Sequence, residues 1–289
     1  MEKELKRREQ MFEQLIEASD GLPTPSQVRE LGMYGGAQGI YRDSKNTADL
    51  TEDGAGVTVS ILHTGRHYDD EMGPQELLYH YPKTDRPPSM DQGEIQATKN
   101  AGLLGLPIFV ISSEGKLRRV RIGFVEDWDD TAEIFLISLQ EQWAVPEDLE
   151  DVRTRDEFEL TGDNTTKLTL TSSRPNQAKF RFSVLKRYGH KCGVCHIRVT
   201  DVLAAAHVRD KRHDGSDDPR NGIVLCQTHH TAFDKHLFGI DPSTLEIRMN
   251  EGTESDDLGI TEFQLTMERE LPHQEALSWR WAETLKAWK

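Results

Sequence analysis
The chain has 289 residues, enough for two domains, and its 36% hydrophobic and 29% charged composition suits a well-solvated protein. No apolar run approaches the ~20 residues needed to cross a bilayer, so a helical membrane protein is excluded. The net charge of −15 argues against a uniformly basic chain, but residues 176–250 hold 12 Lys and Arg against 8 Asp and Glu, a balance of +4, leaving 23 against 42, or −19, elsewhere.

The first predicted element is an amphipathic helix over "MEKELKRREQMFEQLIEASD", with Leu5, Phe12, Leu15 and Ile16 on one side. Its charge keeps it from reading as a signal peptide, and a cytoplasmic protein is expected. The apolar side is expected to pack on its own domain or on a dimer partner. Residues 1–21 are taken as this helix and 22–150 as a β-rich domain. Residues 151–176 form a Thr/Ser/Asn-rich linker, 177–255 a Cys/His-rich unit, and 256–289 a helical tail.

Within the β-rich domain, "GVTVSILHTG", "PIFVISS", "KLRRVRIGFVEDW" and "AEIFLISL" have strand composition with turn signals between them. "HTGRHYDDEM" is a Gly-containing turn loaded with a tyrosine and acids at a strand end, and the following "YHY" puts Tyr79 and Tyr81 on one strand face. Aromatic rings beside a carboxylate suit a planar, polar ligand such as a nucleobase. Core tyrosines and a capped turn are the plainer reading. Asn100 and the arginines Arg118, Arg119 and Arg121 are expected on a solvated face.

All three cysteines of the chain lie in the next unit. An odd number without a signal peptide is poor disulfide arithmetic. "CGVC" gives Cys192-x2-Cys195, and thirty residues later "CQTH" gives Cys226-x2-His229. Two short chelate pairs separated by a long loop are the pattern of a closed tetrahedral zinc site, so structural Zn2+ is expected on Cys192, Cys195, Cys226 and His229. That leaves the adjacent His230, which a helix points about 100° away from His229.

Before the second pair runs "VLAAAHV", a strand ending at His207, then the loop "RDKRHDGSDDPR", then "NGIVLC", a strand beginning at Asn221, then the helix carrying His230. This order, with the knuckle spacing, resembles the HNH, or ββα-metal, nucleases over about residues 180–245. The resemblance implies a metal-dependent DNA endonuclease. His207 would be the general base, Asn221 would hold the loop that orients it, and His230 would bind a divalent cation, Mg2+ or another, at the scissile phosphate. Many members carry a second cation ligand immediately before the base; here that position is Ala206. Asp234, one helical turn after His230, is the favoured replacement. His236, Asp210, His213 and Asp214 are the others.

The stretch from Leu31 to Trp128 resembles an SRA domain, a base-flipping reader of 5-methylcytosine in duplex DNA on a PUA-like β-barrel. "GIYRD", "SILHTGRHYDD" and "LLYHYP" carry the resemblance. It implies Tyr68 stacking on the flipped base and Asp70 reading its edge, with Asp69 as an alternative reader. A second stacking ring would come from Tyr79 or Tyr81.

The expected fold is therefore α+β: an SRA-like, PUA-like β-barrel followed by a zinc-stabilised ββα-metal domain and a tail helix, "PHQEALSWRWAETLKAWK", with a Trp/Leu stripe against the core. The expected function is modification-dependent restriction: recognition of 5-methylcytosine or 5-hydroxymethylcytosine in double-stranded DNA and hydrolysis of nearby phosphodiesters. One active site per chain implies a homodimer for cutting both strands. The alternatives are an HNH nuclease whose front domain reads a different modified base, and a non-catalytic zinc module that only binds DNA.

Overall fold
The computed structural model describes residues 1–19, 21–36, 39–63, 70–143, 158–162 and 177–289. The chain divides into two compact units, Met1–Glu150 and Asp151–Lys289. Among the described residues no helix is long and apolar enough to cross a membrane.

The first unit is built on one seven-stranded mixed sheet. Its strands are β1 (Gly39–Arg42), β2 (Thr58–His63), β3 (Glu71–Met72), β4 (Glu76–His80), β5 (Ile108–Glu114), β6 (Leu117–Asp129) and β7 (Ile134–Gln140), in the order β1-β2-β5-β6-β7-β4-β3. Neighbours run antiparallel except β2 and β5, which are parallel. The order leaves β1 and β3 as edges, so the sheet does not close into a full barrel within the described residues. It does curl: a Cβ built on Gly39, in edge strand β1, would lie 3.9 Å from the Tyr79 hydroxyl on β4. The result is a half-barrel.

Both faces of this sheet are covered, which explains the continuous apolar runs in its central strands. On β5, Ile108 and Val110 face one core, with Leu77, Phe135 and Ala101, while Phe109 and Ile111 face the other, with Val120 and Ile122. After the short helices α2 (Pro25–Glu30) and α3 (Ser44–Thr47), helix α4 (Pro88–Leu103) packs on the first face, burying Ala97, Thr98, Asn100 and Ala101. It is an element the strand-rich reading of this region did not include. Helix α1 (Glu2–Ser19) packs on the second through Met11, Phe12 and Leu15, so its apolar side is spent within its own unit. Ile16, expected on that side, is 40% exposed. Arg8, from a charged stretch of sequence, is fully buried in its place: it donates to Glu4 at 2.8 Å and to the carbonyls of Thr58 and Pro107 at 2.9 and 2.6 Å.

The second unit has a single core. It contains α5 (Gln177–Tyr188), the hairpin of β8 (Leu203–His207) and β9 (Gly222–Cys226), α6 (Gln227–Asp234), the hairpin of β10 (Phe238–Ile240) and β11 (Ile247–Met249), α7 (Ser255–Leu258) and α8 (Gln274–Ala287). β9 is buried at all five positions, as a strand covered on both faces must be. Of the expected linker, only 158–162 falls within the described residues; there Thr161 bridges Gly215, and Leu160 packs on the core. The tail helix buries Ala276, Leu277, Arg280 and Thr284 rather than a Trp/Leu stripe. Its tryptophans rim the contact instead: Trp288 donates to the His236 carbonyl at 2.6 Å, and Trp281 meets Trp288 edge-on.

Candidate active site and metal centre
The zinc ligands come from two turns pinned to one strand. The Cys192 amide donates to Ile197 O at 2.9 Å and the Gly193 amide to Val224 O on β9 at 2.8 Å, which folds the first pair into a knuckle. Cys226 ends β9 and caps α6, whose first turn supplies His229. The four ligand atoms lie within 4.8 Å of one another, and all four residues are buried. His229 Nδ1 is 3.4 Å from Cys192 Sγ and 3.1 Å from Cys226 Sγ. With Zn–S of about 2.3 Å and Zn–N of about 2.0 Å, tetrahedral ligand atoms sit about 3.5–3.8 Å apart, so this set fits zinc with little movement.

The surrounding chemistry agrees. His229 Nε2 lies 3.1 Å from Leu258 O on α7, which accepts its proton and leaves Nδ1 to face the thiols. Burial lowers the His229 pKa more than that bond raises it, favouring the neutral ligand form. Burial pushes the Cys192 thiol up to about 12, a cost that a bound cation reverses by taking the thiolate. Among the described residues this is the only group of three or more His, Cys, Asp or Glu side chains gathered closely enough to share an ion.

His207 closes β8 opposite Gly222 on β9. Its ring stacks on Phe180 of α5, with centroids 3.7 Å apart and planes 7° from parallel. That approach needs the glycine: a Cβ on Gly222 would fall 2.4 Å from Val184 Cγ2 and 3.0 Å from Phe180 Cζ. His207 Nε2 lies 2.9 Å from Asp217 Oδ1, and the other Asp217 oxygen pairs with Lys211 at 2.8 Å. Burial raises the Asp217 pKa, but the bonds from His207 and Lys211 outweigh it and hold the carboxyl below its usual value.

Asn221 is completely buried and ties the loop between the two strands at both ends. Its Oδ1 accepts from Arg209 N at 2.9 Å, and its Nδ2 donates to Arg209 O at 3.1 Å and to Ser216 O at 2.9 Å. Gly215 makes the turn possible, since a Cβ there would sit 1.8 Å from Arg209 O. The Asn221 amide thus fastens both ends of the loop that runs from His207 to Asp217, and the 158–162 segment braces its middle, with Ser216 N donating to Leu160 O at 3.2 Å and Gly162 N to Asp214 O at 2.9 Å.

His230 projects from α6 away from the knuckle, 28% exposed, with its Nε2 3.5 Å from the half-exposed Asp234 carboxylate. An imidazole and a carboxylate at this separation could offer two ligands to a divalent cation and leave the remaining positions to water and phosphate oxygens. The other cation candidates are not gathered with His230 into a group of three or more ligands among the described residues. Asp210 holds His213 at 2.7 Å and lies 3.8 Å from Arg280, Asp214 turns the chain with a φ of 59°, and His236 meets Thr284 at 3.1 Å.

In the first unit, Tyr68 and Asp69 lie outside the described residues. Asp70 follows them, its carboxylate set between the ends of two strands. Oδ1 accepts from the His80 amide at 2.9 Å and faces His80 Nδ1 at 3.1 Å, while Oδ2 is 3.6 Å from His63 Nε2. The two tyrosines expected to offer a stacking ring are packed into the core instead. Tyr79 is buried opposite Phe135, and Tyr81 meets Phe135 at a 38° tilt and donates to Asp130 at 2.8 Å. Both rings belong to the same core cluster, the environment of the plainer reading of "YHY". Asn100 is likewise buried, donating to Asp53 and Gly56 O, and Arg121 is buried against Met72 and Pro74 O; Arg119 is solvated, paired with Glu114 and Glu141.

The HNH endonuclease family matches residues 192–241, from the first knuckle cysteine through β10. This segment is an HNH endonuclease domain. Its match encloses His207, Asn221 and His230 as well as the zinc ligands. No curated protein sequence matches the chain. Among solved structures, the modification-dependent TagI restriction endonuclease is similar at 17% identity and a TM-score of 0.37, over 90% of each chain. KRYPTONITE in complex with mCHG DNA and SAH is similar at 15% identity and 0.30, over 44% of this chain and 32% of that one. The SUVH5 SRA complex with fully methylated CG DNA is similar at 20% and 0.30, over 43% of this chain and 86% of that one.

Proposed function
We propose that this protein is a modification-dependent DNA endonuclease, in which the HNH domain hydrolyses phosphodiesters near a 5-methylated or 5-hydroxymethylated cytosine that the first unit reads. The observation that carries the nuclease half is the family match enclosing a base candidate, a buried loop-holding asparagine and a solvent-facing histidine on three consecutive elements. His207 takes the proton of the attacking water, a task suited to a side chain that titrates near neutrality. Asn221 keeps the loop beside it from moving. His230 and Asp234 would hold a divalent cation, which would supply positive charge at the phosphate and at the leaving 3′ oxygen. The products are 5′-phosphate and 3′-hydroxyl ends. Zinc would be held by the four knuckle ligands, which leave no open position for substrate.

The reader half rests on the resemblance of "GIYRD", "SILHTGRHYDD" and "LLYHYP", supported by the curled sheet whose strands β1, β2 and β4 carry its described parts. Asp70 and the adjoining Tyr68 and Asp69 are the pocket residues in this reading; Tyr79 and Tyr81 support the wall from the core. Extruding a base costs a few kcal/mol, which stacking and hydrogen bonds in the pocket must recover. Phosphate contacts by Lys and Arg make binding fall with salt. A homodimer brings two active sites to the duplex.

A digest of methylated, hydroxymethylated and unmodified plasmids across several divalent metals tests both halves. Cutting confined to modified DNA and lost in His207→Ala is expected. Equal cutting of all three substrates removes the reader, and cutting by His207→Ala as fast as by the parent removes the base assignment.

A further inference from the structure
His207 does not stand alone on its hairpin. The loop that Asn221 suspends returns Asp217 to within 2.9 Å of His207 Nε2 and backs it with Lys211 at 2.8 Å. The charged groups on the loop that face the ring through this contact are Asp217 and, behind it, Lys211; α5 contributes Phe180 and β9 contributes Gly222, neither of which titrates. We infer that Asp217 is the positioning residue of the nuclease: it accepts the Nε2 proton of His207, so fixing which ring nitrogen is protonated and which acts as base. The inference rests on the nuclease reading above and adds a residue to it.

A neutral imidazole carries one proton, so an acceptor at Nε2 makes Nδ1 the basic nitrogen. The ring is then held on three sides. Phe180 fixes its plane, Asp217 fixes its rotation about the Cβ–Cγ bond, and Gly222 admits both. When Nδ1 gains the water proton, the Asp217 carboxylate lies against the resulting imidazolium and stabilises it. Lys211 does a separate job. Its ammonium holds the second carboxylate oxygen, so the acid stays ionised and aimed at one partner. The arrangement also explains the length of Asn221's reach: its amide fastens the chain at Arg209 and at Ser216, the residue before Asp217.

The test uses the full chain with its zinc. In the 15N spectrum of histidine-labelled parent protein, the His207 ring, assigned by its loss in His207→Ala, is expected as the Nε2–H tautomer. Asp217→Ala is expected to give a mixture of tautomers. Asp217→Asn is expected to lower kcat by about 100-fold, the lower end of what a positioned base contributes, with KM for DNA changed by less than about twofold. Losing the carboxylate destabilises the imidazolium, so the acid limb of the kcat profile moves to lower pH by about one unit. Zinc content and melting temperature are measured on the same samples to separate a positioning effect from a folding one. An Nδ1–H tautomer in the parent overturns the inference without any variant. So does an Asp217→Asn enzyme with parental kcat and an unmoved limb while His207→Ala is dead, and that result leaves the nuclease reading standing. A parent that cuts no DNA overturns the nuclease reading first and the inference with it.

Discussion

His229 and His230 are neighbours in the chain whose surroundings differ completely. One ring is 2% exposed and wedged among thiols; the other faces solvent beside Asp234. Removing the first should therefore release the metal, whereas removing the second should spare it. His229→Ala is expected to purify with less than one zinc per chain and an unfolded second unit. His230→Ala should keep its zinc and its melting temperature and lose at least about 100-fold in cleavage. Metal analysis decides the matter: zinc lost from His230→Ala would mean the two roles are reversed. Asn221 makes a different kind of prediction. Its amide satisfies one amide N–H and two carbonyls in a fully buried place, so Asn221→Ala strands three polar groups. A loss of about 2–3 kcal/mol in urea unfolding is expected, together with slower cleavage. Unfolding at the parental midpoint would show the loop to be held by something else. The gathering of Cys192, Cys195, Cys226 and His229 was legible in advance because paired metal ligands leave a spacing that nothing else in the chain imitates. Asp217 was not legible. It sits in "GSDDPRN" beside an equally acidic Asp218, and only the folded loop separates the one that meets His207 from the one that caps a turn and pairs with Arg220.

Elements show the same division between what a pattern carries and what only packing decides. The strands of the first unit were readable from β-branched runs, since a strand covered on both faces has no polar side to interrupt it. Their pairing was not: β2 lies parallel to β5, and the two are joined only through β3, β4 and α4. Helix α4 escaped notice because "PSMDQGEIQATKNAGL" buries alanines and polar groups rather than an apolar stripe. Helix α1 was readable, but its Arg8 was not, because a cation inside reads as a cation outside until its partners are known. That arginine gives the helix a pH signature. Burial raises the Glu4 pKa, but the hydrogen bonds and charges of Arg7 and Arg8 more than offset it, so the folded carboxyl titrates below its usual value. A lowered folded pKa contributes stability that is complete above the unfolded value, about 4.3, and is lost as pH falls through the folded one. The first unit should melt at a constant temperature above about pH 5 and progressively lower below pH 4. Glu4→Gln should flatten that decline and, by depriving the buried Arg8 guanidinium of its hydrogen-bonded carboxylate, lower stability at pH 7 by on the order of 3 kcal/mol. A variant with the same acid limb as the parent would assign the decline to other carboxylates.

At the scale of the whole molecule, the two units are stabilised by different means. The first has apolar clusters on both faces of a seven-stranded sheet and, among its described residues, no gathered metal ligands. The second has one cluster, and Cys192, Cys195 and Cys226 are members of it, in contact with the same core that holds α5, β8, β9 and α6. Structural zinc in small domains is worth about 10–16 kcal/mol, as much as or more than the 5–15 kcal/mol by which whole domains are stable. Stripping the zinc should accordingly unfold the second unit and leave the first. Calorimetry of the full chain is expected to show two transitions. Added chelator should abolish one of them and leave the other at its original temperature, and returning zinc should restore the first. If His230 and Asp234 hold a separate divalent cation, as proposed, restored zinc alone should not restore cleavage. Cleavage that returns with zinc and no second metal would merge the two sites into one. Both transitions shifting together would mean that the units do not fold independently, and the argument that each carries its own core would fail with them.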